Sequence, residues 1–273
     1  MQRTVILPVA ALLILLPAFG CGKIQARAEL KKGNSYYQQE SYVKAISQYK
    51  EGLKLDPDAT FAWRSLGLSA LALYRPGDDS PQNVEYADTA INAFEKYLAD
   101  YPKDEKVEEY LMSTLVNAKK YDDALAFIDR RSKEMPQEAP KLAKYRVTIL
   151  TQAGRLDQAF QLASQLQGQE KAEALYSIGV SAWDKAYRDP SINIDEKTKI
   201  VDMGLQALKQ ALDVKPDYFE AMAYYSLLFR EKAKVELDGN KRLEYTAQAD
   251  EWLKKAVELR KKSQQTKQSP AKT

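Results

Sequence analysis

The chain contains no histidine and a single cysteine, Cys21, among its 273 residues. These absences exclude a His/Cys metal site, a histidine-based triad, a Cys–His nucleophile pair and any internal disulfide. Net charge is also scarce. The 41 Lys and Arg residues against 38 Asp and Glu leave +3, which does not dedicate a protein to nucleic acid. The 11 glycines are scattered among helix starts and turns, and no Gly-rich phosphate loop appears. Adjacent carboxylates such as Glu108-Glu109 and Asp122-Asp123 point in different directions on a helix and make no acid–base pair; Asp122-Asp123 suits a helix start. No catalytic residue, metal or cofactor is assigned. What the chain does have is apolar residue, 45% hydrophobic and 10% aromatic, enough to bury a core.

Long hydrophobic runs are also few. One runs from Val5 to Phe19 behind Arg3, contains Pro8 and Pro17, and falls short of the ~20 residues that span a bilayer. It reads as a secretory signal peptide over residues 1–20. The segment Ala18-Phe19-Gly20-Cys21 resembles a bacterial lipobox, and the resemblance implies cleavage before Cys21 and acylation of its thiol. Acylation also disposes of an otherwise unpaired cysteine in an exported chain, and more than one acyl chain anchors stably. Gly22 rather than Asp after the cysteine resembles outer-membrane sorting. Three alternatives stay open: ordinary signal peptidase acting on Ala18-x-Gly20 without lipid, cleavage after Ala28, and an uncleaved anchor.

A repeat occupies the rest. Gly33-Asn34-Ser35-Tyr36 is followed by Tyr42-Val43-Lys44-Ala45, then Tyr49, then Leu55-Asp56-Pro57. Similar series follow: Trp63, Leu66, Gly67, Ala70; Leu111, Leu115, Tyr121, Ala124, Ile128, Pro136; Leu150, Gly154, Ala159, Leu166; Leu175, Ile178, Gly179, Ala182, Leu208, Ala211, Pro216; and Met222, Tyr225, Phe229, Ala249, Leu253, Ala256. One column reads Ala45, Ala90, Ala124, Ala159, Gly204, Ala249, small wherever two helices must approach closely. Pro57, Pro102, Pro136 and Pro216 recur where a helix must stop. The pattern resembles the tetratricopeptide repeat, a helix–turn–helix unit of about 34 residues. The resemblance implies an all-α fold, a right-handed superhelical TPR solenoid of about six repeats over residues 26–263. The expected units are 26–59, 60–104, 105–139, 140–171, 172–218 and 219–263. Residues 21–25 form a linker, and 264–273 a disordered polar and basic tail.

In the second, fifth and sixth units the stretch between the two helices is too long for a turn. Val84, Ala87, Ile91 and Phe94 extend an apolar stripe backward at helical spacing. Ser80-Pro81 suits a helix start, and Gly239-Asn240 suits a turn. Three lengthened hairpins are therefore expected.

The resemblance also implies that the first helix of each unit lines a groove. Its groove positions fall on Asn34, Tyr37, Phe61, Arg64, Leu68, Asn117, Tyr176, Trp183 and Arg230, and aromatics with arginine are what a bound peptide uses as anchors. Repeats that clamp a peptide carboxylate need a lysine where Leu30 stands, so that ligand is not expected. Most of the 17 tyrosines serve packing. The sequence thus points to a non-enzymatic scaffold for protein or peptide partners at the bacterial cell envelope, on the membrane through Cys21, with no nucleic acid and no metal. The rivals are a soluble periplasmic adaptor and an envelope-polymer hydrolase built on carboxylates such as Glu173 and Glu231.

Overall fold

The periodic apolar positions form twelve α-helices and one 3-10 turn in the computed structural model, which describes residues 18–268, and no strand occurs among them. Residues 1–17 and 269–273, hence most of the expected signal peptide and the end of the expected tail, lie outside the described residues, as does the Cys21 side chain. In chain order the helices are α1 (Ala18–Gln38), packed on α2 (Tyr42–Leu55), α3 (Thr60–Leu73), packed on α4 (Pro81–Asp100), then α5 (Glu105–Asn117) and α6 (Tyr121–Glu134). Then come α7 (Ala139–Gln152) and α8 (Leu156–Ala163), α9 (Gly168–Arg188) and α10 (Ile194–Val214), α11 (Phe219–Val235) and α12 (Gly239–Gln268). The fold is all-α, built of helices joined in sequence by short turns and longer loops. Two compact units divide it, Met1–Lys120 with α1 to α5 and Tyr121–Thr273 with α6 to α12. Inside each unit successive helices pack on one another, and first helices of adjacent pairs also touch: α1 on α3 in one unit, α7 on α9 and α9 on α11 in the other.

The small-residue column explains this packing. Ala45, Ala90, Ala124, Ala159 and Ala249 are all completely buried. A Cβ on Gly204 would lie 2.7 Å from the Ala182 Cβ. Gly67 and Gly179 are similar: a Cβ there would come within 2.4 Å of the Phe94 ring and of Leu208 respectively. Large side chains close around these contacts. Phe94, Leu111, Leu175, Ile178 and Leu208 are fully buried, each stabilising by roughly 2–3 kcal/mol.

Proline sets the helix ends. Helices α2, α4, α6 and α10 stop two residues before Pro57, Pro102, Pro136 and Pro216, because a proline ring clashes with the preceding turn. The fourth unit has no such proline, and its second helix stops early, at Ala163. Lys171, which stands in the proline column, lies inside α9, and its Nζ donates to the Ser164 carbonyl at 2.8 Å. The expected boundary at residue 171 therefore falls within a helix.

The hairpins use two kinds of turn. The short ones put one residue in the left-handed region, Glu40 (φ 56°), Lys119 (φ 57°) and Gly154 (φ 71°). The following N–H reaches back across the last helical turn: Ser41 to the Tyr36 carbonyl, Lys120 to Leu115 and Arg155 to Leu150, at 2.8–2.9 Å. This is the Schellman arrangement.

All three lengthened hairpins leave the first helix extended, and those of the fifth and sixth units enter the second through an amide or carboxylate cap. Asn193 accepts from the Glu196 N–H, and Asp238 from the N–H groups of Asn240 and Lys241. Gly239 and Asn240 thus open α12, and the turn is the three residues before them. At Ser80 the hydroxyl makes no cap bond, and its N–H donates to Asp78 instead. The α4 stripe continues backward through buried Ala87, Ile91 and Phe94, but Val84, expected at its head, is 43% exposed. Below it, buried Asn83 accepts from the Arg75 N–H and donates to the Arg75 and Asp78 carbonyls. One side chain therefore holds the whole 74–80 loop.

In the second unit the lengthened ends pack on each other. Lys232 on α11 meets Asp202 on α10 at 2.7 Å, and buried Glu231 holds both Lys197 (2.9 Å) and Lys234 (2.6 Å). Helix α12 continues to Gln268, beyond the expected end of the sixth unit. Its Leu253 and Val257 are 42% exposed, since no further described helix follows to cover them.

Candidate functional site

The expected groove residues fall into two sets, one per unit. In the first unit most are already engaged. The Asn34 side-chain carbonyl accepts from the Tyr49 hydroxyl at 2.7 Å. Tyr37 meets Tyr42 edge to face at 5.6 Å. Arg64 lies 3.9 Å from Asp104. Asn117 donates to the Ser113 hydroxyl. Phe61 is exposed and Leu68 half-buried. Asp104 joins the set from below: it caps α5 by accepting from the Val107 N–H, and it accepts from the Tyr97 hydroxyl at 2.9 Å. Burial opposes its ionisation, but these donors and the Arg64 charge hold its carboxyl below the ordinary carboxylate range.

The second unit is different. Arg230 is paired with Asp250 at 2.7 Å, but Tyr176 and Trp183 open onto a run of aromatic rings. Its order is Tyr218, Tyr176, Tyr224, Trp183, Tyr187, with successive centroids 4.9, 5.8, 5.5 and 5.1 Å apart. On α9 the buried stripe is Leu175, Ile178, Ala182 and Ala186. Tyr176, Trp183 and Tyr187 share a second stripe, roughly 100° round the helix. Tyr224 comes from α11 and Tyr218 from the residue before it. Four rings are half-buried, and Tyr187 is 59% exposed.

Among the described residues no side-chain hydrogen bond is made by any of the four phenols or by the Trp183 indole N–H. Burial, the neighbouring Tyr176, and Glu220 and Glu173 push the Tyr218 phenol up to about 12. Burial, then Tyr224 and Glu220, raise Tyr176. Both stay donors at any physiological pH.

Tyr187, Tyr218 and Tyr224 were not among the expected groove residues. A signal for one was present, since Tyr187 continues the Tyr176/Trp183 spacing by one helical turn. The other two reach the ladder only through the packing of α11 on α9.

The carboxylates that a hydrolase would need do not pair. Glu173 accepts from the Gln169 amide at 2.7 Å, and Glu231 is held by two lysines. An open cleft of about 460 Å³ between the α7–α8 turn and the end of α9 contains Asp184 and Lys185, but Asp184 pairs with Arg188 and Lys185 with Glu196.

A family model described as TPR repeat matches residues 33–73, which are the end of α1 together with α2 and α3. Among solved structures the chain is similar to YrrB, described as a TPR protein with an unusual peptide-binding site (20% identity, 76% of this chain and 96% of that one, TM-score 0.39). It is also similar to a TPR-repeat protein of Bacteroides fragilis (19%, 77% and 98%, TM-score 0.43) and to MamA (16%, 90% and 98%, TM-score 0.31). No curated protein matches the chain.

Proposed function

We propose that the protein is a non-enzymatic interaction scaffold that binds partner proteins or peptides through the first-helix faces of its hairpins. The observation that carries this is the placement of large aromatic side chains away from the buried stripe. Phe61 in one unit and the Tyr218–Tyr187 ladder in the other remain accessible although each unit has its own fully buried core. Exposed aromatics with nearby arginine and lysine are what protein interfaces use as anchors.

The location belongs to the same proposal. The short apolar run behind Arg3 and the Ala18-Phe19-Gly20-Cys21 segment support export and a lipid anchor on Cys21, which would hold the scaffold on the bacterial envelope, at the periplasmic face of the outer membrane. Assembly of outer-membrane proteins or of pili is a setting such a scaffold would serve. The soluble alternative rests on Ala18-x-Gly20, which suits ordinary signal peptidase equally well. The mass of the mature N-terminus separates them, by acyl chains on Cys21 or none.

Photo-crosslinking in native membranes tests the binding reading. A crosslinker at Phe61 or Tyr187 should capture a discrete partner, and one at Glu51, on a second helix, should not. Capture from Glu51 alone would overturn the assignment of the binding face.

A further inference from the structure

The ladder has a chemistry of its own, which narrows what the second unit would bind. Three aromatics outside the ladder have polar ends engaged internally: Tyr49 donates to Asn34, Trp63 to the Pro57 carbonyl and Tyr97 to Asp104. Along the ladder four O–H groups and one N–H group have no protein acceptor. The surface therefore alternates apolar ring faces with O–H and N–H donors that no described protein group takes up. A segment that fits it would bring apolar rings and free carbonyls.

Polyproline II has those properties. Its backbone makes no internal hydrogen bonds, proline has no N–H, and its carbonyls are free to accept. The segment is also ordered before it binds, so it loses little entropy on docking.

Size and charge refine the match. The ladder follows a contour of roughly 20 Å, about seven residues at the ~3.1 Å rise of polyproline II. Its ends differ in charge. Lys234 lies over Tyr187 at 5.3 Å, and two lysines, Lys197 and Lys234, share the single carboxylate of Glu231. Those three groups sum to +1. At the other end Lys215 lies over Tyr218 at 4.4 Å, but Glu173 and Glu220 both act on the same phenol. That end is net negative.

Building on the scaffold reading above, we propose that the ladder docks an extended, proline-rich segment of a partner protein. An acidic residue of that segment meets Lys234 beside Tyr187, and a basic one meets Glu220 beside Tyr218.

The test uses the purified full chain in detergent and a fluorescent peptide with two aspartates, eight prolines and two lysines, followed by anisotropy. The peptide should bind saturably, at least about tenfold tighter than one of equal length with a Gly-Ser core and the same ends. It should also bind tighter than an eight-proline peptide with lysine at both ends. Tyr187→Ala should weaken it about fivefold. Tyr224→Phe, which keeps the ring and the fold but removes a donor, should weaken it about threefold with an unchanged melting temperature.

Equal binding of the Gly-Ser peptide, full affinity in both variants, or tighter binding of a ten-nucleotide oligothymidylate would each overturn the proposal. If crosslinking captures a partner at Phe61 while the ladder binds no proline peptide, this inference fails and the scaffold reading stands. Capture at neither position removes both.

Discussion

Tyr97 and Tyr224 occupy comparable settings in the two units, half-buried at the edge of a helical hairpin, and differ in where the hydroxyl goes. Tyr97 donates to Asp104, which caps α5 and lies beside Arg64. Tyr224 packs edge-on to Tyr176 and Trp183 and donates to no described protein group. In the first unit Tyr97, from α4, and Arg64 are tied to the aspartate that caps α5, while Phe61 stays exposed. In the second the ladder is held by ring packing and by lysines over its two end rings, and its polar ends donate to no described protein group. One set of aromatic polar ends is thus closed chemically and the other open. The difference arises from a single capping aspartate against a continuous row of rings.

The largest expected effect concerns what holds the second unit in place beside its ladder. Glu231 is 3% exposed and carries Lys197 and Lys234. Glu231→Ala would leave two lysines without a counter-charge in the packed ends of α10 and α11, and should cost about 3 kcal/mol, read as a shifted chemical-denaturation midpoint. Glu231→Gln should cost less, because it keeps the volume and part of the hydrogen bonding. Equal stability of Glu231→Ala and wild type would show that the lengthened ends do not depend on this carboxylate.

The close approaches should respond alike in the two units. Gly67→Ala and Gly179→Ala each force a Cβ to 2.4 Å from Phe94 or Leu208, and each should cost about 1–3 kcal/mol by overpacking. If only one is costly, the helix pairs are not equivalent, and the column of small residues would have separate causes in the two units.

Much of the fold was legible because it rests on sterics with a fixed period. Ala45, Ala90, Ala124, Ala159, Gly204 and Ala249 mark where helices meet, and a missing side chain is visible in a sequence. Proline was equally readable; the fourth and sixth units lack it, with Lys171 and Lys261 in its place, and the expected boundary at 171 falls inside α9. The lengthened second hairpin was readable from Ala87, Ile91 and Phe94, though not from Val84, which is exposed, and the turn chemistry was not readable. Asp238 rather than Gly239-Asn240 organises the sixth, since a carboxylate cap depends on backbone N–H groups converging on it. The ladder was half legible. Tyr176 and Trp183 sit at template positions, but Tyr187 lies in a lengthened segment for which the template has no position. Tyr218 and Tyr224 join only because α11 packs on α9. Asn34 went the other way: its template position suggested a free amide, and Tyr49 takes it up from the neighbouring helix.

The turns provide a smaller contrast. Lys119 in the first unit and Gly154 in the second occupy the same left-handed turn position, which costs a residue with a Cβ about 1–2 kcal/mol. Lys119→Gly should therefore raise the melting temperature, offset in part by the greater freedom of the unfolded chain. Gly154→Ala should lower it. The two substitutions act in opposite directions at equivalent sites, so a change of the same sign in both would mean that the two turns are not equivalent.

The smallest effect returns to the two tyrosines. Tyr97→Phe removes the donor to Asp104 and should cost about 1 kcal/mol, the net worth of one hydrogen bond to a carboxylate in a partly exposed setting. Tyr224→Phe removes a hydroxyl with no protein partner and should leave stability within a few tenths of a kcal/mol. The pH dependence sharpens the pair. The Asp104 carboxyl is held below its ordinary value of 3.8, so its contribution is fully present above that value and is lost as pH falls below it. Tyr97→Phe lets the carboxyl rise toward 3.8 and should flatten that acid limb, whereas Tyr224→Phe should leave it unchanged. Acid denaturation curves that shift equally in both variants would mean that the Tyr97–Asp104 bond does not set the character of the first unit, and the contrast between a closed and an open face would lose its chemical basis.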